Sequence, residues 1–179
     1  GINRCDNAGQ FDFETYHTVM ETNLTGVMTF VGAIQKAGLT HKKVICLSST
    51  SNLVPNPGHI GYYVSKLALH EAFKLLRRAD ANNVYKTIIL GPVHTNIMGS
   101  YAGPQGFQRT IFNALAVSAE TAALACAEFI RSPRKVLYFS KPACLFYWMM
   151  RWLLKLVPGL YQGTVVRPPT QRSLGCGNA

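Results

Sequence analysis

Paired cysteines and metal-ligand spacings are missing from this sequence. No Cys-x-x-Cys pair occurs, and the number of cysteines is odd, which favours free thiols in a reducing compartment over a disulfide framework. The five histidines show no zinc-type spacing with cysteines or carboxylates, so we expect no metal site. The cysteines are Cys5, Cys46, Cys126, Cys144 and Cys176.

A long uncharged apolar run is also absent, which excludes a plain transmembrane helix of about 20 residues. The chain opens Gly-Ile-Asn-Arg-Cys-Asp, with no apolar run after a basic start, and this excludes an evident signal peptide. We therefore expect the protein to be cytoplasmic, or to associate with a membrane through its C-terminal segment. An apolar fraction of 48% in 179 residues fits one folded domain with its own core.

Acidic residues are scarce, and none follows Glu128, although eight lysines and arginines do. A basic run of this kind is compatible with an anionic membrane surface or nucleic acid, or equally with a solvated tail that has no partner. Residues 143–157 carry Trp148, Arg151, Trp152 and Lys155, a pattern typical of an amphipathic helix at a membrane interface. A cap over an apolar pocket or a dimer seam explains the same pattern, and we expect no nucleic acid partner.

Helical and strand-like segments alternate along the first 140 residues. This pattern predicts a parallel sheet covered by helices. The remaining chain is predicted to form a basic amphipathic helix over 141–161 and a disordered tail over 162–179. The predicted helices cover 13–36, 62–78 and Ser118 to Ile130, and the predicted strands cover 43–48, 84–90 and 136–139.

Tyr62 and Lys66 form the first candidate catalytic pair. They stand four residues apart at the start of a predicted helix, so their side chains share one face. A free tyrosine has a pKa of about 10, and a nearby ammonium lowers it, which brings the phenol toward use as a general acid or base. On its own the pair favours a surface helix that carries an aromatic residue and a lysine, because Tyr-x-x-x-Lys is a short motif that often occurs by chance.

Further residues occur around this pair in a characteristic order. Ser49 follows a predicted strand thirteen residues before Tyr62, and strand ends are where open parallel sheets place groups that contact ligands. In order and spacing, the set resembles the short-chain dehydrogenase/reductase family over about residues 6–130. The matching elements are Asn7-Ala8-Gly9, Asn23, Ser49, Tyr62 with Lys66, and the segment Gly91-Pro92-Val93-His94-Thr95.

The resemblance implies a catalytic role for four residues. Tyr62 would exchange a proton with the oxygen of the substrate, and Ser49 would hydrogen-bond the same oxygen. Lys66 would bind the nicotinamide ribose and lower the pKa of Tyr62. Asn23 would anchor a water that links Lys66 to solvent.

The resemblance also implies cofactor contacts to NAD or NADP. Asn7, Ala8 and Gly9 would lie under the ribose on the adenosine side. Gly91, Val93 and Thr95 would border the nicotinamide, with Val93 and Thr95 binding its carboxamide. The hydride chemistry would belong to the cofactor.

One element of the family pattern has no counterpart here: the Thr-Gly-x-x-x-Gly-x-Gly turn that places a helix N-terminus at the pyrophosphate. Asp6 and Leu90 also replace the family's usual Asn and Pro. The resemblance thus implies an incomplete Rossmann-like α/β fold, in which the first strands and the Gly-rich turn are absent and residues 1–140 form the catalytic part of an oxidoreductase domain.

The function that this resemblance implies is interconversion of an alcohol and a ketone or aldehyde with NAD(P)(H), and we expect the 179 residues alone to be inactive. The expected partners are a small, apolar alcohol or carbonyl substrate, a second copy in a homo-oligomer, and a membrane surface contacted by 143–157. The alternative functions are a non-catalytic interaction module or a peripheral membrane-binding domain.

Overall fold

In the part of the chain that it describes, the computed structural model of the protein contains three parallel strands with helices around them. The structure describes residues 1–4, 11–52, 58–95 and 114–139, together with Leu145 and Met149. In chain order the elements are α1 (Phe13–Met20), a π-helical turn (Glu21–Thr25), α2 (Gly26–Lys36), β1 (Lys43–Ser49), a short 3₁₀ turn (Thr50–Asn52), α3 (Ile60–Ala79), β2 (Val84–Leu90), α4 (Ala119–Arg131) and β3 (Val136–Phe139).

The strands lie in the order β1-β2-β3, and each pair is parallel. Lys43 pairs with Val84 and Ser49 with Leu90, so β1 and β2 end at the same level. Parallel neighbours require crossover connections, and α3 and α4 provide them. The structure therefore confirms the α/β class and the parallel sheet with flanking helices that the alternating pattern predicts.

Local signals in the sequence explain where the helices begin and end. The Asp12 carboxylate accepts hydrogen bonds from the backbone N–H groups of Glu14 and Thr15 at 3.0 and 3.2 Å and so caps α1. The Ser118 hydroxyl accepts from the Thr121 N–H at 3.2 Å and caps α4, as predicted. Gly38 follows α2 with a φ of +65°, a conformation that glycine adopts without steric cost.

The main core fills the space between β1, β2 and the helices α2 and α3. Residues from all four elements are almost completely buried there, namely Val31, Val44, Cys46, Leu69, Phe73 and Tyr85. Phe73 and Tyr85 pack edge to face with ring centroids 5.8 Å apart. Burying a side chain of this size stabilises the fold by about 1.5–3 kcal/mol, so this core holds α3 firmly against the sheet.

Lys86 is a buried lysine in the middle strand, with only 2% of its surface exposed. Its ammonium donates hydrogen bonds to the carbonyls of Phe129, Ile130 and Ser132 at the end of α4, two of them at 3.0 and 3.1 Å. It also lies 4.9 Å from the centroid of the Phe129 ring. The last carbonyls of a helix lack partners within the helix, so Lys86 satisfies them and joins α4 to the sheet.

The carboxylate of Asp80, just after α3, accepts hydrogen bonds from three side chains. The Tyr85 hydroxyl donates to its carboxylate at 2.6 Å, and the amides of Asn83 and Gln35 donate at 3.2 and 3.3 Å. These bonds favour the ionised form, so the pKa of Asp80 lies well below its ordinary value, chiefly because of Tyr85.

We expect Asp80→Asn to destabilise the fold at neutral pH and to make stability less sensitive to acid. A carboxyl whose pKa is depressed by folding stabilises the folded chain above its unfolded pKa of about 4, and this contribution is lost as the pH falls further. Urea unfolding at neutral and acidic pH measures both effects. Glu128→Gln removes an exposed carboxylate and is the control; equal losses in both variants would contradict the assignment.

Several predicted features lie outside the described residues. These are the triplet Asn7-Ala8-Gly9, the amphipathic helix predicted for 141–161 with its segment 143–157, and the tail 162–179. Within the described ranges, no helix has both the length and the hydropathy required to span a membrane.

Candidate functional site

The candidate site lies at the edge of the sheet where the strands end. Ser49 is the last residue of β1, and Tyr62 and Lys66 stand in the first two turns of α3. The helix returns across β1 and β2 and packs against them through Leu69 and Phe73. This packing brings the first turns of α3 beside the end of β1, so the fold places the three predicted side chains together.

The side chains of Ser49 and Tyr62 are neighbours, and the Ser49 hydroxyl lies close enough to influence the pKa of Tyr62. Ser49 Oγ also accepts a hydrogen bond from the backbone N–H of Ser51 at 3.1 Å, which fixes the orientation of its hydroxyl oxygen. Burial raises the pKa of Tyr62 above its ordinary value, and the contact with Ser49 offsets part of this rise. Tyr62 therefore holds its proton at neutral pH.

Lys66 is 8% exposed, and its ammonium lies 5.7 Å from the centroid of the Tyr62 ring. It donates a hydrogen bond to the carbonyl of Leu47 at 2.9 Å, and burial lowers its own pKa. The effect of Lys66 on the pKa of Tyr62 that the resemblance implies stays a prediction. In this structure the cost of desolvating the phenolate exceeds the opposing effect of Ser49, so the pKa of Tyr62 lies above its ordinary value.

Asn23 lies in the π-helical turn between α1 and α2 and is 1% exposed. Its Oδ1 accepts from the Ile2 N–H at 2.7 Å, and its Nδ2 donates to the Ile2 carbonyl at 2.8 Å and to Ser65 Oγ at 3.2 Å. Ser65 in turn donates to the carbonyl of Tyr62 at 2.9 Å. Asn23 is thus connected to the turn of α3 that carries Tyr62. Single π-helical turns are frequent at functional sites.

A cavity of about 210 Å³ lies beside Lys66. Of the predicted site residues within the described ranges, Lys66 and Asn23 line it, whereas Ser49 and Tyr62 do not. The backbone of Gly1 closes one side so tightly that a Cβ there would lie 2.6 Å from Asn23 Oδ1 and 3.1 Å from Lys66 Nζ. The other lining residues are Thr22, Val27, Ile45, Cys46, Leu47 and Leu69.

The segment after β2 lies at the same edge of the sheet. Ser49 pairs with Leu90, so Gly91, Val93 and Thr95 begin one residue beyond the level of Ser49. The Gly91 N–H donates to the Phe139 carbonyl at 3.3 Å, and Val93 forms a parallel bridge with Val117. Backbone pairing therefore holds this segment next to the strand ends. The third predicted cofactor segment, Asn7-Ala8-Gly9, lies outside the described residues.

Two serines support the site although the sequence analysis does not single them out. Ser65 joins Asn23 to α3, and the buried Ser48 donates through Oγ to the Lys66 carbonyl at 3.1 Å. A signal for Ser65 is present in the sequence, because it lies three residues after Tyr62 and hence one helical turn away. Ser48 could have been recognised from strand alternation, which turns it inward, toward the helix that carries Lys66.

No protein-family model matches the chain, and no curated protein matches it. Among solved structures it is similar to a gluconate 5-dehydrogenase from Burkholderia cenocepacia, crystallised in complex with NADP and tartrate. The TM-score is 0.54 and the sequence identity is 22% over 60% of this chain. At this level the likeness shows the fold, a parallel α/β fold that a dehydrogenase also adopts. The chain spans 44% of the length of that dehydrogenase chain.

Proposed function

We propose that this chain carries the acid–base part of an oxidoreductase site that reduces a ketone or aldehyde to an alcohol with NAD(P)H. The observation that carries the proposal is the proximity of the Ser49 and Tyr62 side chains at the end of β1. Two neighbouring hydroxyls at a strand end can bind one carbonyl oxygen between them, which is the arrangement that proton transfer to that oxygen requires.

Tyr62 is the proton donor in this proposal. Its raised pKa keeps the phenol protonated at neutral pH, and a general acid acts only in its protonated form. Reduction of a carbonyl places negative charge on the oxygen, which then takes the proton of Tyr62. Ser49 stabilises the same developing charge through its hydroxyl, because a donor aimed at charge that forms in the transition state lowers the barrier.

Lys66 and Asn23 position the acid. The buried ammonium of Lys66 lies on the Tyr62 ring and raises the local positive potential, which favours the negative charge that forms on the substrate oxygen. Asn23 acts through Ser65, whose hydroxyl bonds the Tyr62 carbonyl and so fixes the first turn of α3.

The described residues fit one end of a nicotinamide dinucleotide. Lys66 borders a cavity and offers ammonium donors for a ribose, and Gly91, Val93 and Thr95 lie at the adjoining strand end. A bound NAD(P)H would supply the hydride. The pyrophosphate has no Gly-rich turn to bind in this sequence, and 210 Å³ is below the roughly 300–1,000 Å³ of a ligand pocket.

We therefore expect residues 1–179 alone to bind NADH and NADPH weakly and to turn over no carbonyl substrate. Fluorescence titration of both cofactors measures the first point. A chimera in which a Gly-rich strand–helix–strand segment precedes Gly1 is expected to bind micromolar NADPH and to oxidise it with apolar aldehydes or ketones. A 1–179 chain that binds either cofactor at micromolar affinity would contradict the first expectation, and a chimera that binds NADPH without reducing any carbonyl would contradict the proposed function.

A further inference from the structure

Exposed cations gather at the edge of the sheet where the strands begin, opposite the candidate site. Each helix that packs on the sheet ends at this edge and each strand starts there, and both kinds of position carry basic residues. We call this surface the basic edge and define it by six exposed residues, Lys42, Lys43, Arg78, Arg131, Arg134 and Lys135. They are a third of the 18 lysines and arginines in the chain.

Helix-end stabilisation explains only part of the basic edge. Arg78 and Arg131 lie in the last turns of α3 and α4, where cations are favourable, and Lys43 Nζ lies 3.5 Å from the Ile130 carbonyl. Lys42 and Lys135 instead lie in the connections before β1 and β3, beyond the helix ends. Their backbone carbonyls accept from the N–H groups of Val84 and Thr87, which fixes both residues at the start of the sheet.

These charges repel one another within the folded chain. Lys43 and Lys135 both act on the buried Lys86 and, after burial itself, lower its pKa. Among the described residues at this edge, the nearby carboxylates are Asp80 and Glu128, and Asp80 is engaged by Tyr85, Asn83 and Gln35. An external anionic partner would relieve this repulsion.

Two exposed aliphatic side chains accompany the cations. Leu39, between α2 and β1, is 45% exposed, and Ile130, in the last turn of α4, is 37% exposed. Lysine and arginine mixed with exposed aliphatic side chains are typical of surfaces that lie on anionic lipid, where the cations meet headgroups and the apolar side chains enter the interface. A nucleic acid surface would gain nothing from two exposed aliphatic side chains.

We propose that the basic edge docks on an anionic lipid bilayer. In this orientation β1 points away from the bilayer, and Ser49, six residues after Lys43, lies about 20 Å from the strand start. The candidate site then faces the aqueous side and stays accessible. The proposal does not depend on the proposed function, and docking is expected to leave cofactor binding unchanged.

Vesicle sedimentation of the full 179-residue chain tests the proposal. We expect binding to phosphatidylcholine vesicles that contain about 30% phosphatidylserine, and loss of this binding at high salt. The variant Lys42→Gln/Lys135→Gln is expected to bind about 25-fold more weakly, since each cation at an anionic surface contributes about five-fold. Lys43 and Lys86 are left unchanged because they bond the end of α4.

The control is Arg4→Gln, which removes an exposed cation beside the start of α3, at the opposite edge, and is expected to change binding by no more than about two-fold. Equal melting temperatures establish that both variants fold. Binding that is absent, indifferent to phosphatidylserine or equally weakened in both variants would overturn the proposal. So would loss of binding only in Arg151→Gln/Lys155→Gln, or tighter binding to a short DNA duplex than to the vesicles.

Discussion

Tyr62→Phe is expected to reduce the rate of carbonyl reduction by about 10²–10⁴-fold in the chimera that carries a Gly-rich segment before Gly1 and binds NADPH. The variant removes the hydroxyl near Ser49 and leaves the ring and its distance from Lys66 in place. A positioned general acid contributes about this factor to an enzymatic rate. We expect kcat to fall while the affinity for NADPH stays nearly the same.

Tyr63→Phe provides a matched control, because Tyr63 is the next residue of α3 and faces a different direction from Tyr62. Near wild-type turnover is expected for this control. Steady-state kinetics together with a cofactor titration separates loss of the acid from loss of binding. If Tyr62→Phe keeps near wild-type turnover, another group supplies the proton, and the assignment of Tyr62 is wrong.

Lys86→Met is expected to lower the free energy of unfolding by about 2–4 kcal/mol. Methionine keeps most of the side-chain volume in β2 but removes three hydrogen bonds. The Ser132 carbonyl loses its donor, whereas the Phe129 carbonyl keeps the N–H and hydroxyl of Ser132 and the Ile130 carbonyl keeps Lys43. A buried polar group left without a partner costs about 1–3 kcal/mol, and loss of the charge-assisted hydrogen bonds to the other two carbonyls adds to this cost. The contact with the Phe129 ring loses its charge as well.

Urea unfolding measures this loss, and Lys74→Met is its control. Lys74 is exposed and pairs only with Glu71 on the same helix at 3.1 Å, so its replacement is expected to cost no more than about 0.5 kcal/mol. Similar losses in the two variants would mean that Lys86 does not hold α4 to the sheet.

The sequence predicts the strands and the main helices well because local chemistry specifies them. Ser118 starts its helix by capping it, and the β-branched run from Val84 to Leu90 forms a strand as expected. The π-helical turn around Asn23 is not predictable from periodicity, because a π turn shifts the pattern by one residue and leaves it helical.

The sequence predicts which residues make up the candidate site, but it does not predict the direction in which their pKa values shift. Spacing alone places Tyr62 and Lys66 on one helical face and Ser49 at a strand end. The direction of the pKa shift of Tyr62 depends on burial and on where the Lys66 ammonium points, and both follow from tertiary packing. Lys86 illustrates the same limit, since a lysine in a strand gives no sign that the end of a distant helix is its partner.

The pH dependence of kcat/KM for carbonyl reduction tests the role of Tyr62 most directly. Because burial raises the pKa of Tyr62, the acid form persists through neutral pH, and we expect the rate to stay level there and to fall only as the pH rises through a pKa above about 10. In Tyr62→Phe the residual rate should lose this alkaline decline, whereas Tyr63→Phe should retain it. An alkaline decline that persists unchanged in Tyr62→Phe would contradict the account, because the titrating acid would then be another group.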